Sequence, residues 1–281
     1  MYIVKVPGIN GLGKTNGCEK AGNEILKTLR KIHSNEAGIP IDVDLLDLEE
    51  IHLDNGNIEE ANELIYKNSL KAFETKPKTI FLGGDHSISY SLTKGFFDYC
   101  KQESKQPCLI VFDSHPDCMP PMRVESGDSS PTTHERCKEP THEDWLSKLI
   151  EEGFPAENIL LIGLRNSWKT ETMFLKEKKI QQISINSVME DIDNIADTIM
   201  EFTQGKEVYV SVDIDVVDPA FAPATGYPVA GGLTSRQMIY LIQRLNKIKT
   251  LKGVDIVEIN PEKQGGEMTV QLGAKILGEL I

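Results

Sequence analysis

Short apolar runs rich in β-branched residues alternate with amphipathic segments along all 281 residues, and this alternation constrains the fold more than any other feature. In two amphipathic segments, 17–32 and 58–73, apolar residues recur at three- and four-residue steps. The apolar runs lie at 2–6, 41–46, 79–82, 108–112, 158–163, 180–185, 207–213 and 251–258. This pattern predicts an α/β fold in which buried parallel strands are flanked by helices.

Nothing along the chain divides it into separate folding units. It contains no internal repeat, low-complexity tract or interdomain linker, so we predict one domain over residues 1–281. Two long loops, 118–141 and 216–233, interrupt the alternation. Both leave the end of a predicted strand that carries clustered acidic residues, which favours a functional role for them.

Acidic and histidine side chains follow three of the predicted strands directly. They are His86 after the third run, Asp113, His115 and Asp117 after the fourth, and Asp213 and Asp215 after the seventh. The carboxyl ends of parallel strands share one edge of a sheet, and side chains two residues apart in an extended segment point the same way. Each motif alone has an ordinary explanation as a solvated strand end or a helix cap. Together they predict a site for two divalent ions, Mn²⁺ above all, which would offset the repulsion between the carboxylates.

The composition excludes several classes of function. A net charge of −13 argues against nucleic acids and anionic membranes, since both require basic patches. The five cysteines are odd in number and show no C-x-x-C spacing, as expected of free thiols in a reducing cytosol. No apolar stretch approaches the roughly 20 residues of a membrane helix. Met1 begins a strand-like run rather than a signal peptide. We therefore expect a soluble cytoplasmic protein.

Four sequence blocks resemble those of the ureohydrolases, the family of arginase, agmatinase and formimidoylglutamase. The blocks are GGDHS at 83–87, DSHPD at 113–117, SVDIDVVDPAFAPATGYPVAGGLTSRQ at 211–237 and DIVEINP at 255–261. They occur in the family's order and at similar intervals, and the long third block is the most specific. The resemblance implies a three-layer α/β/α fold around an eight-stranded parallel sheet, with a binuclear manganese centre. It also implies a homo-oligomer, either a trimer or a hexamer.

The resemblance assigns roles to individual residues. Its metal ligands fall on six positions: His86 and Asp117 for one ion, His115 and Asp215 for the other, and Asp113 and Asp213 as bridges between them. Glu258 would bind the guanidinium group of the substrate. The implied reaction is hydrolysis of a C–N bond of a guanidino compound to release urea, by attack of a hydroxide that bridges the two ions. Asp117 would pass a proton to the leaving amine.

The match is weakest between the second and third blocks. Family members place a proton-shuttling histidine shortly after the second block, often followed by glycine. Here the longer loop offers two histidines, His134 and His142. We favour His142 because a predicted helix follows it, although Glu143 stands where glycine is usual. The alternative is that both histidines are merely exposed loop residues.

Positions that select the substrate also differ from those of arginase. The acidic run that reads the α-amino group of arginine is reduced here to Glu171. Met119, Met122, Trp168 and Tyr227 would make the edge of the pocket less polar. Such a pocket suits a substrate without the full amino-acid head group, so agmatine or another guanidino compound is as good a candidate as arginine.

Two other classes of function remain open from the sequence alone. A two-metal phosphoesterase would need basic residues near the metal blocks, and the loop offers only Arg123, Arg136 and Lys138. Glu258 would repel a phosphate. The second alternative is a non-catalytic family member that keeps the metal site and uses the altered loop to bind a ligand.

Overall fold

The computed structural model describes residues 1–11, 13–120, 123–124, 135–136 and 139–281. Within these ranges it contains ten strands: β1 Tyr2–Lys5, β2 Asp47–Glu50, β3 Thr79–Leu82, β4 Pro107–Phe112, β5 Arg123–Val124, β6 Glu135–Arg136, β7 Ile159–Ile162, β8 Gln181–Ile183, β9 Glu207–Asp213 and β10 Leu251–Val257. Eight of them form one sheet in the order β2-β1-β3-β10-β9-β4-β7-β8, and every pairing in it is parallel. Strands β5 and β6 form a separate antiparallel pair.

Helices cover both faces of the sheet. They are α1 Ala21–Leu29, α2 Ile58–Thr75, α3 Ile88–Gln102, α4 Trp145–Glu151, α5 Lys169–Lys178, α6 Ile185–Glu190, α7 Ile192–Phe202, α8 Ser235–Leu245 and α9 Gly266–Leu280. Alternate strand residues belong to two apolar clusters: Ile110 packs with α1, α8 and α9, whereas Leu109 and Val111 pack with α2, α3 and α4. The predicted three-layer fold with an eight-stranded parallel sheet is therefore confirmed. No helix in the described ranges is both long and apolar enough to cross a membrane.

Seven of the eight predicted strands overlap strands of the sheet, but the prediction for 41–46 is wrong. This segment contains a 3₁₀ turn at Val43–Leu45, which the Asp42 carboxylate caps by accepting a bond of 3.0 Å from the Asp44 amide. The second strand follows as β2, at the edge of the sheet, where all four residues are exposed. An exposed edge strand needs no apolar residues, so hydrophobicity does not reveal it.

The four central strands β3, β10, β9 and β4 bring the chemically interesting residues together. Val257 is paired with Asp213, so Glu258 directly follows that pair at the sheet edge, and Asp113 directly follows β4. The turn after β3 requires glycine at Gly84, where φ is +86° and a Cβ atom would lie 2.4 Å from the Gly8 carbonyl oxygen. This turn returns the chain to the sheet edge, where it presents His86.

Candidate metal centre and substrate pocket

The six predicted metal ligands converge at the carboxyl edge of the sheet, and we call them the Asp–His cluster. His86 Nδ1 lies at the centre of one half. It is 3.0 Å from Asp113 Oδ2, 2.8 Å from Asp117 Oδ2 and 3.2 Å from Asp213 Oδ2. Ligand atoms of His86, Asp113 and Asp213 all lie within 4.8 Å of one another, close enough to share one ion.

The other half of the cluster forms around His115. Its Nδ1 atom lies 2.9 Å from Asp215 Oδ2 and 3.7 Å from Asp113 Oδ1. Ligand atoms of Asp113, His115 and Asp215 also lie within 4.8 Å of one another. Asp113 thus belongs to both halves, as a bridging ligand must. Asp213 groups with the His86 half.

Backbone amides hold three of the carboxylates in place. The amide of His115 donates to Asp113 Oδ1 at 2.6 Å, that of Asp215 to Asp213 Oδ1 at 2.8 Å, and that of Ser114 to Asp215 Oδ1 at 2.9 Å. In each case the Oδ2 atom faces a histidine of the cluster. The sheet edge therefore orients one oxygen of each carboxylate toward the site before any ligand binds.

The electrostatics of the cluster suit bound cations. Burial and the neighbouring carboxylates Asp117, Asp215 and Asp213 raise the pKa of Asp113 well above its usual value. Burial and Asp215 raise the pKa of Asp213 to about 7. His86 Nδ1 and Asp113 Oδ2 are among the buried polar atoms of the described residues that make no hydrogen bond. Divalent ions would satisfy these atoms and remove the repulsion, so the residues fit a metal centre.

A buried polar network anchors His86 from behind. Its Nε2 atom lies 2.9 Å from Ser211 Oγ, which donates to Asp255 Oδ1 at 2.6 Å. Asp255 Oδ2 accepts further bonds from the hydroxyls of Ser89 and Tyr209, at 2.9 and 2.8 Å. Metal-binding histidines are commonly anchored in this way through the second ring nitrogen. Our sequence analysis missed the network, although a carboxylate inside the apolar strand β10 was a usable signal.

Glu258 lies beside the cluster and is 4% exposed. The amide of His86 donates to its Oε1 atom at 3.0 Å, and Cys18 Sγ lies 4.0 Å from Oε2. Burial, with Asp213 and Asp85 nearby, raises the pKa of Glu258 well above its usual value. Its φ of +63° is an unfavourable backbone conformation for a residue with a side chain, and Asp117 shares it with a φ of +49°. Such strain, roughly 1–3 kcal/mol, is concentrated at functional sites.

A cavity of about 190 Å³ opens next to the cluster. It is lined by His115, Asp117, Met119, His142, Glu143, Asn166, Trp168, Glu171 and Tyr227. The predicted substrate-binding positions Trp168, Glu171 and Tyr227 thus lie around one pocket, together with the favoured shuttle His142. The other candidate histidine, His134, and Met122 lie outside the described residues.

His142 forms part of the pocket wall. It is 5% exposed, and its ring is stacked on that of Tyr227 with centroids 5.3 Å apart and an interplanar angle of 26°. Neither ring nitrogen has a hydrogen-bond partner within the described part of the chain. Its Nε2 atom lies 3.8 Å from Glu143 Oε1. A buried imidazole in the pocket wall whose ring nitrogens make no hydrogen bond to the described residues is able to exchange protons with a bound molecule.

Glu171 lines the pocket, but both of its carboxylate oxygens already accept hydrogen bonds from backbone amides. The amide of Cys118 donates to Oε1 at 3.2 Å, and the amide of Trp168 donates to Oε2 at 2.9 Å. The side chain is 4% exposed and caps the first turn of α5. It therefore shapes the pocket through the backbone, whereas the neighbouring Trp168 is 70% exposed at the mouth.

Trp145 is a further contact that our sequence analysis missed. Its indole Nε1 donates to Asp117 Oδ2 at 3.0 Å, and its ring lies against that of His86 with centroids 4.8 Å apart. The two contacts join the first turn of α4 to the Asp–His cluster. Nothing in the local sequence pairs residues 117 and 145, because they lie 28 positions apart in the chain.

An eight-stranded parallel sheet with six converging carboxylate and imidazole side chains defines a class of α/β proteins with a candidate two-metal centre. The chain belongs to the arginase family, whose model matches residues 1–281. Human mitochondrial arginase-2 is 28% identical over 237 residues, which cover 79% of this chain and 64% of that protein, somewhat less than two thirds of its length. Agmatinase from Bacillus subtilis strain 168 is 28% identical over 243 residues, which cover 85% of this chain and 75% of that protein.

Solved structures share the fold. Formimidoylglutamase from Bacillus subtilis superposes with a TM-score of 0.83 over 99% of this chain and 85% of that chain, at 22% identity. Proclavaminate amidino hydrolase from Streptomyces clavuligerus gives a TM-score of 0.83 over 99% of this chain and 89% of that chain, at 25% identity. The family resemblance expected from the four sequence blocks is thus confirmed.

Proposed function

We propose that this chain is a metal-dependent amidinohydrolase, formed by one domain over residues 1–281, that hydrolyses a C–N bond of a guanidino compound and releases urea. The observation that carries the proposal is the convergence of four Asp and two His side chains beside a buried glutamate. Carboxylate and imidazole ligands favour Mn²⁺ over metals that prefer thiolates, so we propose two Mn²⁺ ions as the cofactor.

The ligands divide between two ions. His86 and Asp117 would hold one, His115 and Asp215 the other, and Asp113 and Asp213 would bridge them. When bound, two divalent ions supply a hydroxide nucleophile near neutral pH, because they lower the pKa of a shared water molecule. The backbone amides that hold Asp113, Asp213 and Asp215 keep the remaining oxygens in place for this chemistry.

Glu258 would orient the substrate. A guanidinium ion is planar and presents parallel N–H groups that a carboxylate accepts as a fork. Oε1 already accepts from the His86 amide, whereas the contact of Oε2 with the Cys18 thiol at 4.0 Å is weak. A bound guanidinium would also compensate the charge of a carboxylate that is otherwise costly to bury.

Two residues would move protons. Asp117 would take a proton from the nucleophile and pass it to the leaving amine, and the Trp145 indole fixes the orientation of its carboxylate. His142 would exchange protons between the pocket and solvent, since neither of its ring nitrogens is occupied by a partner among the described residues. The guanidinium carbon is a poor electrophile, so both positioning and proton transfer are needed.

The phosphoesterase alternative fits the pocket less well. Within the described residues, neither lysine nor arginine lines the cavity, and buried Glu258 lies beside the cluster that a phosphate would have to approach. The side chains of the basic residues that the sequence offered for phosphate, Arg123, Arg136 and Lys138, lie outside the described part of the chain.

The test is a hydrolysis screen on chelator-stripped protein reloaded with Mn²⁺. Arginine, agmatine, guanidinobutyrate, guanidinopropionate and guanidine would be assayed for urea, formimidoylglutamate for formamide, and a phosphate monoester for phosphate. We expect Mn²⁺-dependent turnover of at least one guanidino compound. Mn²⁺ binding with no turnover would support the non-catalytic alternative, and phosphate release would support the phosphoesterase. Assembly as a trimer or hexamer and a cytoplasmic location stay predictions.

A further inference from the structure

The acidic residues of the pocket differ in how many contacts their carboxylates already make within the protein. Asp117 belongs to the Asp–His cluster, and Glu171 accepts hydrogen bonds from two backbone amides. Glu143 is different because its side chain is 35% exposed and its Oε1 atom lies 3.8 Å from His142 Nε2. No hydrogen-bond donor to its carboxylate is found in the described part of the chain. Among the described acids that line the pocket, Glu143 is therefore the one whose charge a ligand can still use.

The backbone holds Glu143 at this position. Its amide donates to the Thr141 hydroxyl at 3.3 Å, and its carbonyl oxygen accepts from the Met119 amide at 3.0 Å. The next residue, Asp144, accepts from the Thr141 amide at 2.6 Å and closes the turn. The carboxylate is therefore presented by a fixed turn rather than by a free loop.

The surroundings of Glu143 suit an alkylammonium group. The largely exposed Trp168 offers an aromatic face, and Met119 adds an apolar wall. Burial and the charge of Glu143 together raise the pKa of Tyr227. Aromatic faces attract ammonium ions, and apolar walls accommodate the methylene chain that precedes such a group.

We infer that Glu143 selects guanidino substrates whose far end carries a second cation, so that the pocket favours an ω-amino alkylguanidine over a guanidino acid. The inference rests on the proposed function. With the guanidinium at Glu258, the tail would extend into the pocket beside the cluster, where Glu143 would pair with its ammonium group. Glu143 would act on selectivity rather than on the chemical step.

One cation near the mouth works in the opposite direction. Lys14 Nζ lies 4.6 Å from the centre of the Tyr227 ring and forms no ion pair with the described residues. If Lys14 rather than Glu143 bound the far end of the substrate, the pocket would prefer a substrate whose tail ends in a carboxylate. The two residues therefore make opposite predictions that a single set of substrates separates.

The experiment uses three probes of similar alkyl length: agmatine with an ammonium tail, 4-guanidinobutyrate with a carboxylate tail and butylguanidine with a neutral tail. In Glu143→Gln, we expect kcat/KM for agmatine to fall by roughly fivefold to tenfold, mainly through KM, as for a partly exposed ion pair. Butylguanidine should change by less than about twofold, and guanidinobutyrate should improve. A disturbance of His142 would instead lower kcat for all three.

Two further variants complete the test. Glu157→Gln removes an exposed acid just before β7, at the opposite edge of the sheet, and should alter no probe. A preference for guanidinobutyrate that disappears in Lys14→Gln would overturn the inference, as would an equal effect of Glu143→Gln on all three probes. In both cases the proposed function would stand. If the wild-type protein with Mn²⁺ hydrolyses no guanidino compound, the proposed function fails and the inference fails with it.

Discussion

The Asp–His cluster and the pocket above it lie side by side but are built differently. The cluster follows the central strands β3, β4 and β9, and backbone amides hold three of its carboxylates at 2.6–2.9 Å. The pocket is lined largely by residues outside the strands, and one of them, Trp168, is 70% exposed. Under the proposed function, the chemical step would depend on the sheet and the choice of substrate on the loops. Loop substitutions can redirect selectivity while the metal-binding edge stays intact.

The strongest test of this difference between the cluster and the pocket is to replace a ligand that both halves of the cluster share. Asp113 belongs to both halves of the cluster, so Asp113→Asn should reduce bound Mn²⁺ below two ions per chain. Activity should fall by more than about 10²-fold, because removing a ligand has a larger effect than removing a residue that only hydrogen-bonds to a ligand. Metal analysis and turnover measure both quantities. Trp168→Ala, at the pocket mouth, should keep both ions. Full metal content in Asp113→Asn would contradict the assignment.

The proton shuttle gives the next largest effect. General acid–base groups contribute about 10²–10⁴-fold, so His142→Ala should lower turnover on that scale while both ions stay bound. His52→Ala is a suitable control, since that side chain is 90% exposed. His134→Ala should have a much smaller effect than His142→Ala. The opposite ranking would transfer the role to His134, and negligible effects of both would leave the protons to Asp117 and solvent.

Glu258→Gln separates substrate orientation from metal binding. The change keeps the shape of the side chain but removes its charge, so metal content should be preserved while activity falls by about 10²-fold or more. Steady-state kinetics combined with metal analysis measure this. Turnover like that of the wild type would remove Glu258 from the reaction.

The smallest effect is expected behind the cluster. Ser211→Ala removes the hydroxyl that links His86 Nε2 to Asp255, and such partners of a ligand typically change metal affinity by about 10–100-fold. Titration of the stripped protein with Mn²⁺ measures this loss. Ser184→Ala is a matched control because Ser184 only caps α6, so it should affect thermal stability but not metal affinity. Unchanged affinity in Ser211→Ala would show that the network is structural.

The sequence predicted the sheet and the cluster well because both depend on local patterns. The buried strand β4 is a continuous apolar run, and Asp113, His115 and Asp117 follow it at two-residue spacing. What it could not predict depends on contacts between distant segments. The Trp145–Asp117 hydrogen bond and the two amides that occupy Glu171 exist only after the loops have packed. The exposed edge strand β2 has the sequence DLEE, in which Leu48 is the one apolar residue, too little to predict a strand.

The central claim is that the six side chains of the cluster hold two metal ions. The most direct measurement is a crystal structure of the Mn²⁺-loaded protein, with anomalous scattering recorded at the manganese edge. We predict two peaks per chain, roughly 3.5 Å apart, with Asp113 and Asp213 between them. A single peak, or peaks away from these six side chains, would contradict the account.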